Sequence, residues 1–490
     1  MQTGARFWLF WLILAGYLAL GGLYVALTPA WQAPDEPAHY NYVRFLATRR
    51  AFPELTPDCY NQAYLNQLTS RRFPPDLPID PVCYEYHQPP LYYLLAAPVF
   101  SLTRGALPAL RGLSVLLGAG VVVLAFFIAR TVLPARPAVA LAAMAVVAFT
   151  PMHLTMLAAV NNDALAELLL AALLFRLVRG LTAGQPATAK TDAVTGLLLG
   201  LALVTKTTVY IAIPLTALAL WWSPGRPGLR RLARRGLLVF GTALLAALPW
   251  YARNTWLYGQ FDLLGLQRHD AVVVGQLRTA DYLAQVGWPR YLLDFVTTTF
   301  HSFWGQFGWM AVPMDRRSYL FLALLTLLAL VGLAAWLARR GPATDAPAAG
   351  HRQAIALLAA AAGLAVVVYA GYNATFVQFQ GRYLFPALVP LAFFFAVGLF
   401  EVFDLPRAWL AAVTVAAVLA GQVGTGLAGA GLDKRAGLAL AAVWLVLAAR
   451  AWLAPRWPVD RHIWVAAFCA GLAGLAAASP FWFIVPYLNP

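Results

Sequence analysis

Charged residues are scarce in this chain, and their scarcity excludes an ordinary soluble domain. Only 11% of the 490 residues are Asp, Glu, Lys or Arg, while 61% are hydrophobic. Soluble globular domains carry roughly 25% charged residues. Apolar runs of about 20 residues recur along the chain, and each is long enough to cross a hydrocarbon core of roughly 30 Å. The sequence therefore predicts an all-α polytopic membrane protein.

Cysteine is also rare, with three copies in the whole chain. Cys59, Cys83 and Cys469 lack the spacing of zinc ligands, and we expect neither a metal nor another cofactor. Cys59 and Cys83 fall in one expected outer loop, where a disulfide is compatible with an oxidising compartment. The sequence leaves open whether these two cysteines are joined.

Basic residues outnumber acidic ones, 35 to 20, and give a net charge of +15. The arginines are scattered instead of forming the compact patch that binds nucleic acid, so we expect no nucleic-acid partner. Many fall in short loops between apolar runs, including the cluster at residues 226–235. Basic residues collect in the cytoplasmic loops of membrane proteins. This pattern predicts a cytoplasmic N-terminus and an outer C-terminus.

The apolar runs predict about thirteen membrane spans. The first has a poor cleavage pattern and is long for a signal peptide, so we interpret it as uncleaved. Residues 30–110 and 257–317 form two large outer segments, and "PPLYYLLAAPVFSL" in the first of them predicts an interfacial helix. We expect one membrane domain over residues 1–490 and no soluble C-terminal domain. The expected spans are residues 7–29, 111–133, 137–158, 164–181, 192–205, 208–222, 236–256, 318–338, 354–371, 384–402, 408–425, 436–453 and 463–486.

Two adjacent carboxylates, Asp35 and Glu36, follow the first span in "WQAPDEPAHYNYVRFLATRR". Residues 36–49 have the apolar stripe of an amphipathic surface helix, and His39 lies on that stripe. Asp35 then sits at or beside the helix N-cap. Capping alone would explain an Asp at that position, so a structural role is the alternative to a functional one.

Two further acids occur in "VNNDALAE" at the outer end of the third span. Asp163 and Glu167 are four residues apart and share one helix face. Acids within a span are costly and usually face a cavity. For Asp163 the alternative is capping of the fourth helix together with Asn161 and Asn162.

Two cations occupy positions where apolar helices leave little room for charge. Lys206, in "LVTKTTVY", interrupts the short pair of spans at 192–222, and Arg382, in "FVQFQGRYLFPALVP", opens the tenth span from outside. Together they would hold a phosphate, because the Arg fork matches phosphate oxygens. The alternative is that both side chains snorkel to an interface.

His87 and Gln88, just before "PPLYY", would line the same outer cavity, although a satisfied loop histidine is the simpler interpretation. The acids and bases thus gather at one membrane face. Acids there suit a general base acting on an acceptor hydroxyl. Cations there suit a departing phosphate.

On these motifs the chain resembles the GT-C superfamily of membrane glycosyltransferases. It is similar to protein O-mannosyltransferases and bacterial aminoarabinose transferases, and closer still to a bacterial membrane family with "PDEPAH" and "QGRYLFP" patterns. The likeness covers roughly residues 5–400 and includes "HQPPLYYLL", "NNDAL" and "GLLLGLALVTKTTVY" in the same order. The resemblance implies a GT-C-like fold with interfacial helices in the first outer loop.

The resemblance also implies a reaction. A sugar would pass with inversion from a polyprenyl-phosphate donor to a hydroxyl of a lipid, polysaccharide or protein acceptor. This would happen at the outer face of a bacterial inner membrane and without a metal. Asp35 would be the catalytic base, Glu36 would lie beside it, and Asp163 would shape the site. The expected substrate-binding residues are His39, His87, Gln88, Glu167, Lys206, Arg382 and Tyr383.

The sequence departs from the aminoarabinose type at two positions. Ala38 stands where that type has Arg, and Gln88 replaces a basic residue. Two other classes of membrane protein remain as alternatives. A transporter or lipid flippase would spread its charges through the depth of the spans and carry a repeat. A ligase or polymerase of O-antigen type would use a late outer loop, where His301, Arg316 and Arg317 lie.

Overall fold

Helices form nearly all of the regular structure in this computed structural model, which describes residues 7–184, 187–224, 228–259, 261–338, 349–404, 408–425, 433–453 and 460–489. The first ten helices are α1 (Phe7–Leu27), α2 (Glu36–Arg49), α3 (Gln62–Ser70), α4 (Leu91–Thr103), α5 (Leu107–Val132), α6 (Pro137–Phe149), α7 (Pro151–Leu157), α8 (Asp163–Thr182), α9 (Ala189–Leu203) and α10 (Ala212–Trp221). The next ten are α11 (Leu229–Tyr258), α12 (Leu266–Val272), α13 (Thr279–Trp304), α14 (Arg316–Leu337), α15 (Ala349–Asn373), α16 (Leu388–Val402), α17 (Ala408–Thr425), α18 (Lys434–Leu453), α19 (Arg461–Ser479) and α20 (Val485–Leu488). The strands β1 (Gln306–Phe307) and β2 (Val312–Pro313) pair antiparallel in a short hairpin.

Each expected span coincides with a helix or with a broken pair of helices, but the expected number of about thirteen is not confirmed. In the described ranges, eight helices are long and apolar enough to cross a membrane, and the pair α6–α7, bent by 63°, counts as a ninth if the two helices are one broken span. The others fall short for physical reasons. With 15 and 10 residues, α9 and α10 are shorter than the roughly 20 residues that cross a bilayer. The charged side chains of α8 are two acids near its start and two arginines toward its end.

The first outer segment folds onto the helix bundle as a small helical layer. It contains α2, α3, α4 and two short 3-10 turns, at Pro57–Cys59 and Tyr84–His87. The helix expected at residues 36–49 is confirmed, and "PPLYY" does open a short helix, α4. A disulfide joins Cys59 to Cys83, and the Cys83 N–H donates to the Cys59 carbonyl at 3.1 Å. This link ties the first 3-10 turn to the second, which packs against α2.

The second outer segment is more helical than the sequence indicated. It contains α12 and the 26-residue α13, which is broken at Gly287 with a φ of 74°. The N-terminus of α13 lies against the end of α15, where the Thr279 N–H donates to the Thr375 carbonyl at 3.1 Å. The segment therefore covers the loop between α15 and α16, which carries Arg382.

The bundle core packs by close approach of backbones where small residues face each other. A Cβ placed on Gly398 in α16 would overlap the Ala329 carbonyl of α14. Small residues at such crossings allow helices to pack tightly in membranes. This contact fixes α16, and with it the 3-10 turn Gly381–Ala387 just before the helix.

Candidate active site

Asp35 lies at the N-cap of α2 in a left-handed conformation, with a φ of 67°. Its side chain turns away from the helix. One carboxylate oxygen accepts a hydrogen bond from the Tyr84 hydroxyl at 2.7 Å, and the other accepts one from Arg382 Nη2 at 2.7 Å. A non-glycine residue held at positive φ is strained, and such strain clusters at functional sites. Helix capping therefore does not account for Asp35.

The charge of Asp35 depends on its neighbours. Burial raises the pKa of this carboxyl, but the charge of Arg382 and the hydrogen bonds from Tyr84 and Arg382 more than offset that effect and lower the pKa to about 2. Asp35 is therefore an ionised carboxylate with both oxygens engaged, next to a buried guanidinium. Arg382 is only 7% exposed, and its Nε donates to the Gln380 side chain at 2.7 Å.

A second ion pair joins the other cation to the other acid. Lys206 Nζ lies 2.6 Å from an Asp163 carboxylate oxygen. Lys206 lies where the chain leaves α9 and enters the 3-10 turn Thr207–Ile211. This position confirms that Lys206 interrupts the short pair of apolar segments at 192–222. Asp163 is the first residue of α8, and its N–H is held at 2.9 Å by the Asn161 side chain. Lys206 thus meets a carboxylate of a neighbouring helix.

The two ion pairs border one cavity of about 650 Å³, which we call the large cavity. Its walls combine polar groups of the outer segments with apolar side chains of α15, including Ala365 and Val368. Among the described residues, Glu36, Asp163 and Glu167 do not line it, although Asp163 reaches it through Lys206. The candidates that do line it are Asp35, His39, His87, Gln88, Lys206, Arg382 and Tyr383.

Glu36 is fully buried and forms the anchor of α2. Its oxygens accept hydrogen bonds from Arg111 Nε at 2.7 Å and Arg111 Nη2 at 2.6 Å. The N–H groups of Trp31 and Val160 donate to the same carboxylate at 3.1 Å each. All of these donors are groups of the folded protein itself. Glu36 therefore locks the end of α2 to α5 and to the start of α8, and so fixes the position of Asp35.

Glu167 forms a buried pair one helical turn below the large cavity. Its carboxylate lies 2.8 Å from Nε2 of His153, and the other ring nitrogen of His153 lies 2.8 Å from the Val147 carbonyl. Both side chains are at most 5% exposed. The pair supports the helix that carries Asp163.

The two candidate histidines are neutral groups. Burial lowers the pKa of His39 to about 3, with Lys206 as the next contributor, and His39 Nδ1 lies 2.7 Å from the Tyr93 hydroxyl. Burial and the neighbouring His269 lower the pKa of His87 well below its usual value. The His87 and His269 rings are 4.4 Å apart. Neither His39 nor His87 adds positive charge to the site.

Glu85 is a site residue that the sequence analysis missed. It is only 9% exposed, it lines the large cavity, and its Oε2 has no hydrogen-bond partner among the described residues. Burial, with Asp35 adding to it, raises the pKa of Glu85 to about 7. The available signal was its place in "YEYHQPP", the stretch that supplied His87 and Gln88.

A second space, the small cavity, also borders Asp35 and has a volume of about 240 Å³. Eight residues line both cavities: Asp35, Glu85, His269, Val273, Gln276, Tyr372, Arg382 and Tyr383. Asp35 and Arg382 therefore stand at the junction of two spaces. This arrangement suits a reaction between a ligand in one cavity and a ligand in the other.

A family model described as "Predicted membrane protein (DUF2142)" matches residues 85–392, which is more than half of the chain. The chain belongs to the DUF2142 family. The matched part of this DUF2142 member includes Glu85, Lys206 and Arg382 and begins after Asp35. Among curated proteins, none matches the chain in sequence.

This DUF2142 chain is similar in structure to ArnT from Cupriavidus metallidurans bound to undecaprenyl phosphate. The TM-score is 0.55 at 15% identity, over 98% of this chain and 78% of that one. An oligosaccharyltransferase from Archaeoglobus fulgidus, tethered to an acceptor peptide, has a TM-score of 0.46 at 14% identity, over 93% of this chain and 55% of that one. The likeness to ArnT shows the GT-C fold, and the fold expected from the sequence motifs is confirmed.

The residues of the ligase-type alternative lie elsewhere in this DUF2142 member. The His301 ring stacks on Tyr319 at 3.7 Å, and Arg317 Nε lies 2.7 Å from Asp433. Neither His301 nor Arg317 is among the described residues that line the large cavity. Within the described ranges, no group of three or more His, Cys, Asp or Glu side chains is arranged to hold a metal ion.

Proposed function

We propose that the protein is an inverting membrane glycosyltransferase that moves a sugar from a polyprenyl-phosphate donor to an acceptor hydroxyl. The observation that carries this proposal is the contact between Asp35 and Arg382 at the junction of two cavities, with Lys206 on the wall of the larger one. A base and two cations then border a single reaction space. We place this space at the outer face of a bacterial inner membrane, with the N-terminus in the cytoplasm.

The large cavity is the proposed donor site. Its apolar wall is formed by α15, a candidate membrane span whose Val366, Val367 and Val368 are 50%, 66% and 49% exposed. A polyprenyl chain could leave the cavity along this apolar face, since lipid is the natural neighbour of exposed valines on a span. The undecaprenyl phosphate named with the ArnT structure is a ligand of this chemical class.

The donor phosphate would exchange partners with the two ion pairs. Arg382 contacts Asp35, and Lys206 contacts Asp163. A phosphate between the two cations would offer them an anion whose oxygens match the Arg fork. Asp35 would then lose its guanidinium neighbour, which is the main group that holds its pKa near 2. Donor binding would thereby make Asp35 more basic just when a base is needed.

The proposed reaction is an in-line displacement at the anomeric carbon. The acceptor oxygen forms a bond to that carbon while the bond to the phosphate oxygen breaks. Asp35 takes the hydroxyl proton as the nucleophile attacks. The polyprenyl phosphate leaves with the bonding electrons, and Lys206 and Arg382 stabilise its negative charge.

The remaining candidate residues have supporting roles in this proposal. Glu36 holds Asp35 in place through Arg111, and Asp163 positions Lys206. Neutral His39, His87 and Gln88 border the donor sugar with uncharged groups that can exchange hydrogen bonds with hydroxyls. Tyr383 packs under Arg382, whose guanidinium carbon lies 5.2 Å from the ring centre. Glu167 supports α8 from below.

The test is a transfer assay. Purified protein in lipid nanodiscs is incubated with a panel of polyprenyl-phosphate-linked sugars and with an extract of bacterial envelope as the source of acceptor. We expect mass spectrometry to detect free polyprenyl phosphate for at least one sugar, and NMR of the product to show the opposite anomer. A panel in which every donor stays intact, with folded protein and added extract, would contradict the proposal.

A further inference from the structure

The small cavity continues outward into an open groove on the first outer segment. This outer groove has a volume of about 410 Å³ and runs along α3 and the β1–β2 hairpin. It shares Gln62, Leu65 and Trp309 with the small cavity. The two spaces therefore form one path that leads from the outer surface to Asp35. Such a path suits a ligand that reaches the protein from the aqueous side.

The outer part of this path has a neutral lining, rich in amides and hydroxyls. None of the described residues that line the outer groove is charged; its polar groups are Gln62, Asn66, Thr69 and Ser70. Further in, the small cavity adds Tyr60, Gln276, Gln378 and Gln380 before it reaches the charged groups at Asp35. Side-chain amides both donate and accept hydrogen bonds, which matches the hydroxyls of a sugar.

Trp309 is fixed at the point where the groove meets the small cavity. Its indole N–H donates to the Trp31 carbonyl at 2.9 Å, and its ring lies 5.8 Å from that of Phe73. Trp309 and Met310 both have positive φ, at 56° and 71°. Consecutive non-glycine residues at positive φ cost free energy and persist where the surroundings hold them in place, often at ligand sites. The hairpin is thus built to present this ring.

Polar side chains connect the two ends of the path. The Tyr60 hydroxyl donates to the Gln62 amide oxygen, and Gln62 Nε2 donates to Asn66 Oδ1 at 2.7 Å. Tyr60 lines the small cavity, and Asn66 lines the outer groove. Hydrogen bonds that are linked in this way pre-orient each group, so a ligand meets amides that already point in fixed directions.

We infer that the small cavity and the outer groove bind an uncharged saccharide as the acceptor. This rests on the proposed function, because the hydroxyl of the innermost sugar is the group that Asp35 would deprotonate. The apolar face of a sugar ring would stack on Trp309, while the amides of Gln62 and Gln276 would bind its hydroxyls. A neutral groove gives a strongly anionic acceptor no compensating cation and favours no basic peptide.

The test is a binding measurement that requires no turnover. Fluorescently labelled protein in detergent is applied to an array of neutral oligosaccharides, acidic glycans and Ser/Thr-containing peptides. We expect wild type to bind neutral oligosaccharides. Trp309→Ala should weaken that binding by roughly tenfold or more, and Gln62→Ala, a change at a partly exposed side chain, should weaken it to a smaller extent. Trp288→Ala is the matched control, because Trp288 is 62% exposed on α13 and lines neither the small cavity nor the outer groove.

The same samples are tested for binding of polyprenyl phosphate, which separates the two proposals. Binding of neutral glycans without lipid phosphate would support the saccharide site and contradict the proposed function. A protein that binds lipid phosphate but no neutral glycan would overturn the saccharide site and leave the transferase proposal standing. This holds whether the array shows binding of peptides, of acidic glycans or of nothing. Equal glycan affinity in wild type, Trp309→Ala and Gln62→Ala would overturn it as well.

Discussion

Arg382 donates a 2.7 Å hydrogen bond to Asp35, although 347 residues separate them in the sequence. The contact joins the first outer segment to the turn that precedes α16. It closes the space between the large and small cavities with one anion and one cation. Each neutralises the other, so a ligand phosphate that bound Arg382 would also change the basicity of Asp35. Most of the predictions below follow from this arrangement.

Asp35→Asn should abolish transfer, while the variant should still fold and still bind the donor lipid. The amide keeps the shape of the side chain but cannot accept the acceptor proton, and the loss of a general base typically lowers the rate by about 10²–10⁴-fold. Release of polyprenyl phosphate, followed by mass spectrometry, measures the effect. Asp76→Asn is the control, since the Asp76 side chain is 60% exposed in a surface pair with Arg71. An Asp35→Asn variant that transfers at the wild-type rate would rule out this base.

Glu36→Gln should damage stability more than chemistry. The substitution leaves Arg111 buried and unpaired, and breaking a buried ion pair in this way costs about 3–5 kcal/mol. Thermal unfolding in detergent measures the loss. The double variant Glu36→Gln with Arg111→Met should recover part of the stability, because the unpaired charge is gone. If Glu36→Gln had the wild-type melting temperature but had lost activity, Glu36 would take part in the reaction and would not be a structural residue.

The pKa of Glu85 predicts a pH-dependent stability. Burial raises this pKa from 4.5 to about 7 in the folded protein. Between these values the folded state binds the proton that the unfolded state releases, so the free energy of unfolding falls as pH rises through this window and is level above it. Glu85→Gln cannot titrate and should lose less stability over the same range. Melting temperatures at several pH values check this, and parallel curves for the two proteins would contradict it.

Reduction of the Cys59–Cys83 disulfide should loosen the site as well as the fold. The bond joins two parts of the first outer segment that are 24 residues apart, and Tyr84, which binds Asp35, comes directly after Cys83. A disulfide of this kind contributes about 2–4 kcal/mol. Reductant should lower the melting temperature of wild type and have no effect on Cys59→Ser with Cys83→Ser. A wild-type melting temperature that is unchanged by reductant would refute this prediction.

The helices could be predicted from the sequence because a membrane requires long apolar segments with internally satisfied backbones. The expected number of spans is not confirmed, because α9 and α10 have the apolar pattern of a span but are shorter than a full crossing requires. The long helix α13 was not predicted, because Gly287 and Pro289 interrupt its helical pattern and are typical of a loop. The order of short motifs was sufficient to indicate the GT-C fold.

The candidate site was predictable residue by residue but not as an arrangement. Asp35, Lys206 and Arg382 stood out because a charge beside apolar helices is costly and needs a reason. Their pairing was not readable, since contacts between distant segments leave no local pattern. Glu85 sits in a loop without periodicity, and its unusual environment comes from groups that only the fold assembles. The partner of Glu36, Arg111, was hidden at the edge of an expected span.

The most direct test of the account is the binding of undecaprenyl phosphate to purified protein, measured by native mass spectrometry. Wild type is compared with Lys206→Ala, Arg382→Ala and the control Arg71→Ala, which removes an exposed cation of the surface pair with Asp76. We predict binding to wild type and to the control, and loss of binding in both cavity variants with intact folding. Binding that is equal in all four proteins, or absent from wild type, would contradict a site for a lipid-phosphate donor.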